Sequence, residues 1–227
     1  MKKGRKNCDE QLIEQISNTL EMLLEKGLLY TYNELKREYL DKNTIRLYWN
    51  NHLSGSFNSG DNFLKLEQYK QIINNQSYLC VLFDGSLIRV SYTIKNGCIV
   101  GHNLLWWPAP YKYSGVSLDD VPPKQMLSDF LEDDKWYENI EMRSPVRIDY
   151  DPRKEVVSSA HPPVHMHIEH MECRIFIEKP MCFNSFIKLI FNNFYPDCKI
   201  YLDPNDYISF EVDDNYEYVE GLTKIVC

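Results

Sequence analysis

The chain has 227 residues, and 33 acidic against 25 basic side chains leave a formal net charge of −8. That balance argues against a broad nucleic-acid-binding surface, which needs a basic stripe to displace counterions, and leaves room only for a narrow, locally basic groove. A hydrophobic share of 44%, with 16 Tyr, 10 Phe and 4 Trp, is enough for a globular core; no apolar run reaches transmembrane length, so a soluble, cytoplasmic chain with no membrane partner is expected.

Residues 2–6 (K-K-G-R-K) read as a frayed basic terminus. From Asp9 onward Leu12, Ile13, Ile16, Leu20, Leu23 and Leu24 recur at helical spacing, with Asn7 or Asp9 as cap and Gly27 as stop. Tyr30–Leu40 is predicted to continue as a second helix, and Ile45–Asn51 as an extended piece. His52–Asn62, rich in Ser, Gly and Asn, reads as a flexible loop and an internal boundary. This divides the chain into an N-terminal helical element with its loop (1–62) and an α+β main domain (63–227). A short helix over Leu66–Asn75 opens the second part, with Leu66, Tyr69, Ile72 and Ile73 on one face.

The strongest local signal follows. Tyr78–Phe83, Ser86–Ile94 and Cys98–Trp107 are apolar, partly alternating runs separated by Asp84-Gly85 and Asn96-Gly97. Both dipeptides favour tight hairpin turns, because glycine accepts the positive φ these turns require. A three-stranded antiparallel meander is predicted, ended by Pro108 and Pro110. Gln125–Asn139 reads as a helix whose Glu132, Asp133 and Asp134 form a solvated face. Trp106 and Trp107 read as core or interface anchors rather than as a base-stacking platform.

Pro145–Asp151 reads as a strand with Val146, Ile148 and Tyr150 on one side and Arg147, Asp149 and Asp151 on the other. Next comes Ala160–Met171 (A-H-P-P-V-H-M-H-I-E-H-M), which holds four of the six histidines. Period-two alternation of Val164, Met166 and Ile168 against His165 and His167 predicts a strand presenting both imidazoles together. Cys173–Ile177 reads as a further strand, Phe183–Tyr195 as an amphipathic helix, and Lys199–Leu202 and Ile208–Val212 as short strands. The seven cysteines include no C-x-x-C pair, so neither a zinc ribbon nor a disulfide framework is expected. The whole predicts an α+β fold: an antiparallel sheet, made of the meander and the histidine-bearing strands, with helices packed on one face and an N-terminal helical element.

If the 146–151 and 164–168 strands pair with polar faces aligned, Arg147, Asp149, His165 and His167 gather on one surface. A base, an acid and a cation are the ingredients of phosphodiester chemistry. The candidate catalytic residues are therefore His165, His167, Asp149 and Arg147, with Arg174 and His161 as substrate contacts. A divalent metal is the alternative occupant, with His165, His167 and Glu169 as its candidate ligands. Each piece also has a structural explanation: buried strand histidines held by hydrogen bonds, a loop-fixing His161 beside Pro162, and an Arg147–Asp149 surface ion pair of small worth. The H-x-H-x-E order resembles the histidine-triad nucleotide hydrolases, but the third alternating position is Glu169 rather than His, and the preceding helix and strand pattern of that family is lacking.

D-G-S-L-I-R-V-S-Y at Asp84–Tyr92, R-I-D-Y-D at Arg147–Asp151, H-P-P-V-H-M-H-I at His161–Ile168 and E-C-R-I at Glu172–Ile175 together resemble an uncharacterised bacterial family, domain of unknown function 2290. The 145–195 block also resembles toxin components of bacterial toxin–antitoxin pairs. The second likeness implies antiviral-defence or toxin biology, with RNA cleavage as the favoured activity. The competing expectation is a non-catalytic subunit that binds a protein partner within a larger defence assembly through its aromatic, acidic surface.

Overall fold

A computed structural model of the chain describes residues 8–49, 66–111, 140–170, 172–202 and 208–212, with isolated positions between 125 and 138. Among these the architecture is α+β: three α-helices and one nine-stranded, wholly antiparallel sheet. The first helix, α1 (Cys8–Glu25), buries Leu12, Ile16, Leu20 and Leu23 along one stripe. It ends as its sequence dictates. Gly27 adopts φ +67, and Leu28 and Gly27 donate their N–H groups to the Leu23 and Leu24 carbonyls, which satisfies the last turn.

Tyr30–Leu40 is not a helix. It forms two strands, β1 (Leu29–Tyr32) and β2 (Leu35–Tyr39). β1 pairs with β4 (Cys80–Leu82), and β2 with β3 (Thr44–Trp49). This stretch lacks the run of apolar residues at helical spacing that α1 has, and its tyrosines suit a pleated surface, so tertiary pairing decides the outcome. Helix α2 (Leu66–Asn74) then leads into the meander β4, β5 (Leu87–Lys95) and β6 (Cys98–Trp107). Both predicted turns are present, with Gly85 at φ +84 and with Asn96 and Gly97 at φ +52 and +77. One edge of β5 pairs with β6. The other edge is split between β4 at its start and β3 at its end.

The sheet continues through β7 (Val146–Tyr150), β8 (Val164–Ile168) and β9 (Ile175–Phe176). Alternation gives it two faces. On one, Ile88, Val90, Tyr92, Leu104, Trp106, Val146, Ile148 and Val164 pack with α1 and with α3 (Phe183–Phe194). Helix α3 brings Phe183, Phe186, Ile187, Ile190 and Phe191 into that core, each worth roughly 1.5–3 kcal/mol when fully buried. On the other face Leu87, Leu105 and Trp107 form a second, smaller core with Tyr69, Ile72 and Ile73 of α2. The two long helices therefore share one face, and α2 covers part of the opposite one. Trp106 and Trp107 are core residues, on opposite faces.

Polar contacts fix how α1 and α3 meet. Gln15 Nε2 donates to the Ile208 carbonyl at 2.8 Å, the Asn184 N–H donates to Gln15 Oε1, and Thr19 Oγ1 donates to Asn184 Oδ1. Buried and mutually satisfied, these groups specify one helix register. Residues 208–212 are irregular and Pro196–Tyr201 is a 3-10 helix, so the two predicted C-terminal strands do not form. The expected loop 52–62, the boundary within it and most of the 125–139 helix lie outside the described residues. Helix α1 and strands β1–β3 share the sheet and core of the segment that follows. Among the described residues no helix is long and apolar enough to cross a membrane.

Candidate functional site

The site lies on the part of the sheet's second face that is formed by β6, β7 and β8. β7 pairs with β8 in the register Arg147 opposite His167 and Asp149 opposite His165. β6 pairs with β7 so that Asn103 lies opposite Asp149. Cross-strand partners point to the same side, so Asn103, Asp149 and His165 form one transverse row, and Leu105, Arg147 and His167 the next. The predicted strand alternation thus delivers four candidate catalytic residues to one surface.

Asp149 is its hub. Asn103 Nδ2 donates to Asp149 Oδ1 at 2.5 Å, while Oδ2 lies 2.9 Å from Arg147 Nε, 3.3 Å from His167 Nε2 and 3.9 Å from His165 Nε2. Burial acts to raise the pKa of this carboxyl, but His167, Arg147 and His165 outweigh it and hold Asp149 below its ordinary value. The group is therefore a carboxylate at neutral pH.

Both imidazoles are only 2% exposed. His165 Nδ1 lies 2.7 Å from the Pro162 carbonyl, which can only accept, so Nδ1 carries a proton and Nε2 is the nitrogen left for chemistry. Pro162 and Pro163 rigidify the approach to β8 and so aim that carbonyl. Burial pushes the His165 pKa down to about 4, leaving the ring neutral at pH 7 with its Nε2 lone pair toward Asp149. His167 Nε2 faces Asp149 Oδ2 at 3.3 Å, while its buried Nδ1 has no hydrogen-bond partner among the described residues. That is costly for a buried polar group and marks the residue as held ready rather than satisfied.

His161 and Arg174 form the rim. The His161 ring lies edge-on to His165 at 4.6 Å, and His165 edge-on to His167 at 4.7 Å, giving a row of three imidazoles. Burial and the charge of Arg174 both lower the His161 pKa, which places Arg174 near this row. A two-residue bridge between Ser158 and His161 anchors the loop. The structure therefore brings together His165, His167, Asp149, Arg147 and His161, with Arg174 at their margin.

Glu169 does not join them, a correction to its place among the metal candidates. It is exposed, lies one residue beyond β8, and turns the chain at φ +64, which ends the alternation. Its backbone N–H is tied to Ser144 Oγ. The carboxylate that completes the histidine pair is Asp149. Sequence reasoning missed Asn103, which sits beside another polar residue in its strand and 46 residues before its partner, so no local pattern singled it out. His102, the preceding residue, faces the opposite core, accepts the Met181 N–H at Nε2 and is neutral, with burial pushing its pKa to about 4.

Chemically the arrangement offers one carboxylate, one imidazole nitrogen with a free lone pair, a second imidazole beside the carboxylate, and a guanidinium that can hold an anion. No curated protein and no solved structure matches the chain. Residues 28–215 match the model of an uncharacterised conserved protein family, DUF2290, and this span contains every residue of the site while leaving out α1. The chain belongs to the DUF2290 family.

Proposed function

We propose that the chain is a bacterial defence- or toxin-type protein that cleaves phosphodiester bonds in nucleic acid, RNA foremost, on the face carrying Asp149, His165 and His167. The observation that carries this reading is the convergence of Arg147, His165 and His167 on the single oxygen Oδ2 of Asp149. Arg147 and Arg174 suit a phosphate, since guanidinium forks match its oxygens. The Nε2 lone pair of His165 is what the reaction uses, on a proton or on a metal ion. In RNA cleavage the 2′-oxygen bonds to phosphorus as its proton leaves, the bond to the 5′-oxygen breaks, and that oxygen takes up a proton. Solvent water supplies it, and His167 acts as the partner of His165 at the shared carboxylate.

With a net charge of −8, the chain must hold nucleic acid through a local patch such as this one, so binding by the chain alone is weak at physiological salt and a short single strand is the best substrate. The test is a short labelled RNA and its DNA counterpart incubated with the purified chain across a salt series, with and without divalent ions. RNA cleavage that falls steeply with salt is expected. Failure to cut either polymer under any of these conditions would remove the proposal.

A second reading, a non-catalytic subunit that binds a protein partner, is favoured by one feature. At the outer strand β2 and its flank, Tyr39 and Leu40 are 66% and 52% exposed. Tyr and Leu beside a strand edge with no strand partner among the described residues suit a partner segment. A pull-down from native cells separates the readings, because a partner retained at high salt supports this one.

A further inference from the structure

His165 Nε2 and Asp149 Oδ2 are both acceptors. The Nδ1–H bond to the Pro162 carbonyl fixes the tautomer of His165, so its remaining lone pair faces a carboxylate oxygen 3.9 Å away. His167 Nε2 lies 3.3 Å from the same oxygen, and the buried Nδ1 of that ring has no hydrogen-bond partner among the described residues. In its Nδ1–H tautomer His167 adds a third lone pair, and three such atoms converging leave room for a positive charge. Arg147 Nε supplies part of it from one side, at 2.9 Å.

We infer that Asp149, His165 and His167 form a binding site for one divalent transition-metal ion, with zinc the best-matched ion. One ligand atom from each lies within 4.8 Å of the others. A tetrahedral zinc site with bonds of about 2.0–2.1 Å sets its ligand atoms about 3.3 Å apart, so small side-chain adjustments close this set. Two imidazole nitrogens select a borderline ion over magnesium or calcium, which prefer oxygen. Three protein ligands leave a fourth position open, the arrangement of catalytic rather than structural zinc.

The surroundings match what orients metal ligands elsewhere. The Pro162 carbonyl holds the far nitrogen of His165, and Asn103 holds the far oxygen of Asp149. An ion arriving at Oδ2 competes with Arg147 for that oxygen. The inference deepens the phosphodiester reading by naming the activator of the attacking oxygen, and it stands or falls on separate data.

The experiment uses the untagged full chain, freed of metal and then titrated with Zn²⁺ by calorimetry and with Co²⁺ by visible absorption. One ion per chain, a tetrahedral Co²⁺ spectrum and a raised Tm are expected. His165→Ala and His167→Ala should abolish the spectrum, and His170→Ala, an exposed histidine outside the site, should leave it intact. Asn103→Ala keeps all three ligands and should weaken Zn²⁺ binding by roughly 10–100-fold, which carries the test if a ligand variant does not fold. A folded wild-type chain that binds neither ion, or Zn²⁺ binding unchanged in the His165→Ala, His167→Ala and Asn103→Ala variants, would overturn the site. RNA cleavage that persists in chelator with no metal bound would also overturn it while sparing the phosphodiester reading. Metal binding without cleavage of any substrate would do the reverse.

Discussion

Arg147 and His167 lie directly opposite each other in the β7–β8 register, and both reach the same atom, Asp149 Oδ2, at 2.9 and 3.3 Å. A carboxylate shared in this way is a single point of failure. Asp149→Asn removes the charge but keeps the shape, and should abolish activity while lowering stability by about 1–3 kcal/mol, as Arg147 and the two histidines lose their anionic partner. Urea unfolding beside a cleavage assay checks both numbers. Unchanged activity in a folded Asp149→Asn chain would exclude the carboxylate from the chemistry.

Glycines 27 and 85 both have positive φ, yet they should respond differently to alanine. At Gly27 a Cβ meets nothing within 4 Å, so Gly27→Ala should cost about 1–2 kcal/mol from the left-handed backbone alone. At Gly85 the Cβ would collide with Tyr111 Oη, against which the turn is packed. Gly85→Ala should therefore cost clearly more. Thermal melts of the two variants side by side decide this.

The Asp84-Gly85 turn is tied to the far end of the chain. Tyr195 Oη donates to Asp84 Oδ2 at 3.0 Å and accepts from Trp106 Nε1 at 3.2 Å, while Arg143 pairs with the same carboxylate. Tyr195→Phe strips a buried carboxylate and a buried indole of one partner each. A loss of roughly 1–3 kcal/mol in denaturant unfolding is expected, with metal and substrate binding unchanged.

His102 makes stability depend on pH in a defined direction. Its pKa is about 4 when folded, against 6.5 ordinarily. Between these values the unfolded chain takes up a proton that the folded chain refuses, so stability falls as pH drops from about 6.5 towards 4 and levels off below. The slope from this group is at most about 1.4 kcal/mol per pH unit. His102→Asn, which keeps an acceptor for the Met181 N–H, should flatten the acid limb of a stability–pH curve. An equally steep limb in that variant would show that His102 does not set it.

Much of the site was legible because it rests on period two. Val164–Ile168 and Val146–Tyr150 each alternate cleanly, and the pairing of polar face with polar face follows from burying the other side. Alternation fails one residue past its strand, and Glu169 was misplaced because its left-handed turn leaves no trace in a hydrophobic pattern. Asn103 was invisible for another reason: strand order across β6 and β7 is a tertiary fact. The meander was readable from its two X-Gly turns, whereas β1 and β2 exist through pairing with β4 and β3 rather than through local preference.

The central claim is that the Asp149–His165–His167 face performs phosphodiester cleavage. Its most direct test is the rate of RNA cleavage by His167→Ala, read beside its melting temperature. The account predicts a folded variant whose rate falls by at least about 100-fold, the usual scale for losing an acid, base or ligand. A folded His167→Ala chain that cuts RNA at the wild-type rate would contradict it.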